Sequence, residues 1–122
     1  MKPGQTLVFL LVFMTMAITV TTAAALVIIS NSQAASKLEQ SLTAYGAAEA
    51  GAENALLRLL RDPAYPGETL TVGEGIATIS AAGSNPKVIL SRGKYNNFLR
   101  QVQVTASYVN GILTVTSWQE VF

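Results

Sequence analysis

The chain has 122 residues, a formal net charge of +1, no cysteine and no histidine. That length suits one domain, and the near-neutral charge points to no polyanionic or polycationic partner. Without Cys or His there is no disulfide, no thiolate and no imidazole, which removes the commonest general base and the commonest metal ligands. No nucleophile–base pair and no metal-ligand spacing stands out, so the reading is of a non-enzyme that needs no cofactor.

Residues 6–30 read TLVFLLVFMTMAITVTTAAALVIIS and carry no charge, and the uncharged run extends from Pro3 to Ser36, between Lys2 and Lys37. About 20 apolar residues in a helix cross a bilayer core of about 30 Å, so this segment is long enough to span. It is apolar on every side, unlike a helix with one face in a soluble core. Lys2 ahead of the run allows three meanings. One is a secretory signal cut near Ala23-Ala24-Ala25, which would leave Leu26-Val27-Ile28-Ile29 as an apolar new end. Another is a permanent single-pass anchor, with Lys2 on the cytoplasmic side.

The third uses Lys2-Pro3-Gly4-Gln5. A short basic stretch ending in Gly, then a polar residue, then the apolar helix resembles the processing site of type IV prepilins. The resemblance implies cleavage after Gly4 by a prepilin peptidase, with Gln5 as a methylated first residue. Glycine suits such a site because its backbone can lie extended and be approached closely. Where major pilins carry a Glu, fifth after the cut, this chain has Phe9, which fits a minor pilin or a tip-type pseudopilin. Thr15, Thr19 and Thr22 recur at i, i+4 and i+7 beside Ala23. Either they bond back to their own helix, or with Ala23 they form a face for close helix–helix packing.

Residues 32–62 should continue as the amphipathic half of one long helix, with a bend or, as the alternative, a break and a new cap offered by Ser30-Asn31-Ser32. Leu38, Leu42, Tyr45, Ala52, Leu56, Leu59 and Leu60 recur at three- and four-residue steps and are read as its buried face. Arg58 and Arg61 suit a helix C-terminus, and Asp62-Pro63 ends it. Positions 47–57, AAEAGAENALL, resemble the N-terminal region of minor pilins of the PilX type through Ala48, Glu49, Ala50, Gly51, Glu53, Ala55 and Leu56. Glu49 and Glu53 are read as a solvated or inter-subunit acidic stripe.

From Gly67 onward the period becomes two, and short strands are predicted at 69–72, 76–81 and 88–91, with a turn at Arg92-Gly93-Lys94. A final hairpin turns at Asn110-Gly111. It places Val104 and Ala106 opposite Ser117 and Val115, and Trp118 on the outer face opposite Gln103. The predicted organisation is therefore a leader at 1–4, a membrane or filament-core helix at 5–31, an amphipathic half at 32–62 and an antiparallel sheet domain at 63–122. The expected class is α+β, a long helix packed on four or five antiparallel strands in the pilin-like lollipop shape.

The resemblance implies a structural subunit of a type IV pilus or a related type II secretion filament. Its partners would be copies of itself or other pilins, the peptidase, the membrane, and an assembly platform with its ATPase. Lys87, Arg92, Lys94 and Arg100, with Tyr95 and Phe98 between them, also suggest a nucleic-acid-binding competence pilin. The plainer reading of that cluster is a solvated hairpin whose charges guard the sheet edge.

Overall fold

The computed structural model describes residues 2–122. It is an α+β protein, one long helix followed by five antiparallel strands. The chain divides into two compact units at the boundary between Lys37 and Leu38.

Helix α1 spans Pro3–Arg61 without interruption. Pro3 occupies its first position, where the missing N–H removes nothing the helix needs and the fixed φ is already helical. The sequence Ser30-Asn31-Ser32 does not break it, since all three are helical. Ala-rich sequence on either side carries the helix through. At the other end the Asp62 N–H still bonds the Arg58 carbonyl at 2.8 Å, while its Oδ1 accepts from the Ala64 N–H at 3.0 Å. That side-chain turn and Pro63 redirect the chain into the first strand.

The strands are β1 (Gly67–Val72), β2 (Gly75–Ala82), β3 (Lys87–Tyr95), β4 (Phe98–Val109) and β5 (Ile112–Val121). They form one sheet in the order β1-β2-β3-β4-β5, a simple meander. Residues 92–94, predicted as a turn, instead continue β3, with Arg92 paired to Gln101, Gly93 to Arg100 and Lys94 to Leu99. The reversal comes one step later, around Asn96 with its positive φ of 52°. Asn tolerates that conformation, so a second turn signal lay three residues beyond the Gly that drew the prediction. The last turn is where it was expected: Asn110 and Gly111 both have positive φ, as a type I′ hairpin requires.

The face of α1 turned to the sheet keeps part of the one predicted, with Ala52 and Leu59 buried and Tyr45 and Leu56 partly buried, whereas Leu38, Leu42 and Leu60 fall outside it. Buried on the helix are Ala44, Ala47, Ala48, Gly51, Ala52, Ala55 and Leu59, while Leu38, Leu42, Leu57 and Leu60 stand more than half exposed. Small residues win because the two backbones nearly touch. A Cβ on Gly93 would stand 1.9 Å from the Ala44 carbonyl oxygen, and one on Gly51 would stand 2.5 Å from Ser91 Oγ. Neither position has room for a side chain, the usual reason for glycine in a strand beneath another element. Larger core residues, Ile79, Ile89, Val102, Val104 and Leu59, pack around this contact with Tyr65. Ser91 is fully buried with no hydrogen-bond partner for its hydroxyl among the described residues.

The β4–β5 register shifts between Thr105 and Ala106. Ala106 pairs with Val115 as predicted, but Thr105 pairs with Ser117, and Val104 with Trp118. Thr116 is therefore the extra residue of a β-bulge, its hydroxyl bonding the Thr105 carbonyl at 3.1 Å. One added residue flips everything after it, which moves Trp118 to the helix-facing side of the sheet.

Gly93→Ala should destabilise the 38–122 unit by about 2–3 kcal/mol, because a backbone clash cannot relax as a flexible side chain can. Thermal unfolding of the full chain in detergent should show a melting temperature roughly 10–20 °C lower. Ser91→Ala should do the reverse, raising stability by about 1 kcal/mol, since it removes an unpaired buried hydroxyl without changing shape.

Candidate functional site

Two surfaces stand out, one on each unit. The first is the apolar half of α1. At about 1.5 Å per residue, residues 5–31 extend roughly 40 Å, more than a bilayer core. The helix is long and apolar enough to cross a membrane by length and composition, and none of its most apolar stretch is buried. Fifteen large apolar side chains between positions 7 and 29 are at least half exposed. Each is worth about 1.5–3 kcal/mol when removed from water, so together they outweigh the 5–15 kcal/mol stability of an ordinary domain. This segment is compatible with an apolar environment such as a bilayer.

Its polar groups are fitted to one. Thr15, Thr19, Thr21 and Thr22 each donate a hydroxyl to the carbonyl four residues earlier, at 2.8 Å in every case. These bonds satisfy the hydroxyls inside the helix, as a lipid environment demands. Thr15, Thr19 and Thr22 also fall within about 60° of arc, with Ala23 adjoining, so one narrow stripe gathers four small side chains. Gly4 and Gln5 lie in the first turn, where the Gln5 N–H bonds the Lys2 carbonyl at 3.0 Å. Gly4 is thus helical rather than extended. A Cβ there would meet nothing within 4 Å, so the fold places no demand on this glycine.

The second surface is the sheet, whose two faces differ chemically. The helix-facing side holds two polar clamps. On one flank, Glu68 Oε1 accepts from Asn54 Nδ2 at 3.0 Å and from Tyr65 OH at 2.8 Å, with Arg58 Nε at 3.5 Å. The Tyr65 bond, with Asn54 and Arg58 behind it, holds the Glu68 carboxyl below the usual range. Burial, and then the same bond, push Tyr65 up to about 12. On the other flank, Arg100 grips Glu120 with two donors, Nη2 to Oε2 at 2.8 Å and Nε to Oε1. Arg100 Nη1 reaches Ser41 Oγ at 2.8 Å, and the guanidinium lies 4.9 Å from the Tyr45 ring centre. Nearby, Tyr108 OH bonds the Leu59 carbonyl.

The sheet separates the four cations that sequence placed together. Arg100 and Lys87 take helix-facing register positions, alongside Gly93 and Ala106 respectively, and Tyr95 and Phe98 share that side. Arg92 and Lys94 face the opposite way. Of the acidic pair on the helix, Glu53 is exposed, and Glu49 sits half-buried beside the Tyr45 hydroxyl, whose pKa it raises. Among the described residues no group of three or more His, Cys, Asp or Glu is placed to hold a metal ion.

Sequence reasoning missed both clamps. Arg100 and Glu120 are twenty residues apart, and only the bulged register sets their strands so that they meet. Glu68 follows Gly67 in a stretch that reads as a turn. Comparison with protein-family models, curated proteins and solved structures finds no match to this chain.

The Arg100–Glu120 clamp should make stability fall in acid. The two Arg100 hydrogen bonds hold the Glu120 carboxyl below its ordinary value. A depressed folded-state pKa contributes stability above the unfolded value, near 4.3 for Glu, and loses it as pH falls through the folded value. Melting temperature measured against pH should therefore show wild type above Glu120→Gln at pH 7, with the two curves converging below about pH 4.

Proposed function

We propose that the chain is a pilin-like structural subunit, a minor or tip component of a type IV pilus or a related secretion filament, rather than an enzyme. One observation carries this reading. A single unbroken helix has a first half with no charge and no burial, and a second half that packs on a sheet through Ala and Gly. Lipid satisfies the first half before assembly; neighbouring helices satisfy it afterwards.

The Thr15, Thr19, Thr22 and Ala23 stripe supports close helix–helix approach, which in a membrane comes from packing of small residues rather than from the hydrophobic effect. The uncovered Leu38, Leu42, Leu57 and Leu60 would carry apolar contact further along the same helix. Phe9 in place of the family's acidic residue removes the usual pairing of that acid with a neighbour's terminal amine. Register in the filament then depends on side-chain packing alone, which suits a subunit present in few copies.

In this reading a prepilin peptidase cuts between Gly4 and Gln5 and the new amine is methylated. An assembly platform and its ATPase then lift the subunit into the filament, with other pilins or copies of the chain as neighbours. The helical first turn must unwind for the cut. The Gln5 and Thr6 N–H groups share the one Lys2 carbonyl there, so unwinding sacrifices little.

Intact-mass analysis of protein purified from its own membranes tests this directly. The expected species begins at Gln5 and carries one added methyl group. Gly4→Val should block the cut and leave the precursor in the membrane with its circular dichroism unchanged, because no neighbour contacts that position. A native chain that keeps Met1 through Gly4 would instead identify a simple membrane anchor.

A further inference from the structure

The outer face of the sheet has a charge pattern that the packing of the helix on the sheet does not use. The strand acids Glu68 and Glu120 pair in register with Ile79 and Val102, both buried under the helix, so both carboxylates belong to the inner side. Glu74, in the β1–β2 turn, lies beside the hydroxyl of Tyr95, again on the inner side. Among the described residues the outer face of the strands therefore carries no carboxylate. Its charges are Arg92 and Lys94, two residues apart on the central strand β3, and neither makes an ion pair.

Arg92 borders a shallow depression of about 190 Å³ that it shares with Thr78, Ser80 and Leu90. The register builds this directly, since Thr78 is opposite Arg92 and Ser80 opposite Leu90. On the far side Gln101 Oε1 accepts from Arg92 Nε at 3.3 Å, which orients the guanidinium and leaves its terminal nitrogens uncommitted. A guanidinium fork matches a carboxylate with two parallel bonds. Two hydroxyls beside it suit sugar hydroxyls, and the Leu90 side chain offers an apolar floor for a C–H face. Lys94 places a second positive charge about 7 Å along the strand.

We infer that this face binds an acidic polysaccharide, with the carboxylate of one sugar residue held by Arg92 over Thr78 and Ser80, and a neighbouring carboxylate attracted by Lys94. Single-stranded nucleic acid fits less well. Every aromatic residue within the strands, Tyr95, Phe98, Tyr108 and Trp118, takes a helix-facing register position, so the outer face offers bases nothing to stack on. An exposed arginine–carboxylate contact is weak in water, and a single site should bind at about millimolar strength. Repetition along a polymer and a filament can raise that by roughly 10²–10⁴. Only this avidity rests on the filament reading; the single site does not.

The test uses the full chain in non-ionic detergent at low salt, with binding of oligogalacturonate measured by calorimetry, and dextran and single-stranded DNA as comparison ligands. Oligogalacturonate should bind and dextran should not. Arg92→Gln should weaken binding at least tenfold and Lys94→Gln several-fold, and added salt should weaken the wild type. Lys87→Gln, on the opposite face, should leave binding unchanged. Absence of binding at low salt, equal binding of dextran, or indifference to Arg92→Gln would overturn the proposal. Tighter binding of DNA, lost in the same variants, would overturn it in favour of a nucleic-acid site. Because the assay uses dispersed subunits, its failure leaves the filament reading intact, and an uncut Gln5 leaves the sugar site intact.

Discussion

The backbone of α1 lies almost in contact with the backbone of β3, and most of the packing in the 38–122 unit follows from that approach. Ala44 and Ala48 rest over Gly93, Gly51 over Ser91, and Ala47 over Gly75. At each point a larger side chain on either partner would push the layers apart. The bulk of the core must then come from the margins of the contact, where Ile79, Ile89, Val102, Val104 and Leu59 close around the seam. Ser91 shows how strict the requirement is: an unpaired buried hydroxyl is tolerated where only a small residue fits.

This seam decides what remains on the surface. A helix that seats its Ala and Gly face has its leucines left over, so Leu38, Leu42, Leu57 and Leu60 point away from the sheet. The polar clamps at the two flanks, Glu68 with Asn54 and Tyr65, and Glu120 with Arg100, stop the helix from rolling on a contact that has little side-chain interlock of its own. These clamps gather both strand acids on the inner side. The outer side is thereby left with hydroxyls, amides, two cations and the exposed apolar Ile76, Val88 and Leu99.

The architecture is largely legible in the sequence, and the reasons for its exceptions are physical. The uncharged run, the switch from a period near 3.6 to a period of two, and Asn110-Gly111 point to the helix, the meander and the last hairpin. The buried helix face is misread because periodicity weighs leucine above alanine, whereas a close backbone approach selects for small size. The turn is misread at Gly93 because glycine signals both a reversal and a tight contact, and sequence alone does not separate them. Trp118 is misplaced because nothing in Thr-Val-Thr-Ser marks a bulge, yet one extra residue inverts the face of all that follows. The same blindness to register joins four cations into a single patch that the sheet divides.

The two halves of α1 solve the same problem by different means. In the 38–61 half the partner is fixed, so the buried stripe is matched residue by residue to Gly75, Ser91 and Gly93. In the apolar half the hydroxyls of Thr15, Thr19, Thr21 and Thr22 are satisfied by their own helix, and no residue between Pro3 and Ser36 carries a charge. Those four hydroxyls therefore need no partner outside their own helix. Small and hydroxyl side chains of this kind let a neighbouring apolar helix approach closely. Phe9 fits the same logic, since a carboxylate at that position would need a cation beside it in any apolar environment.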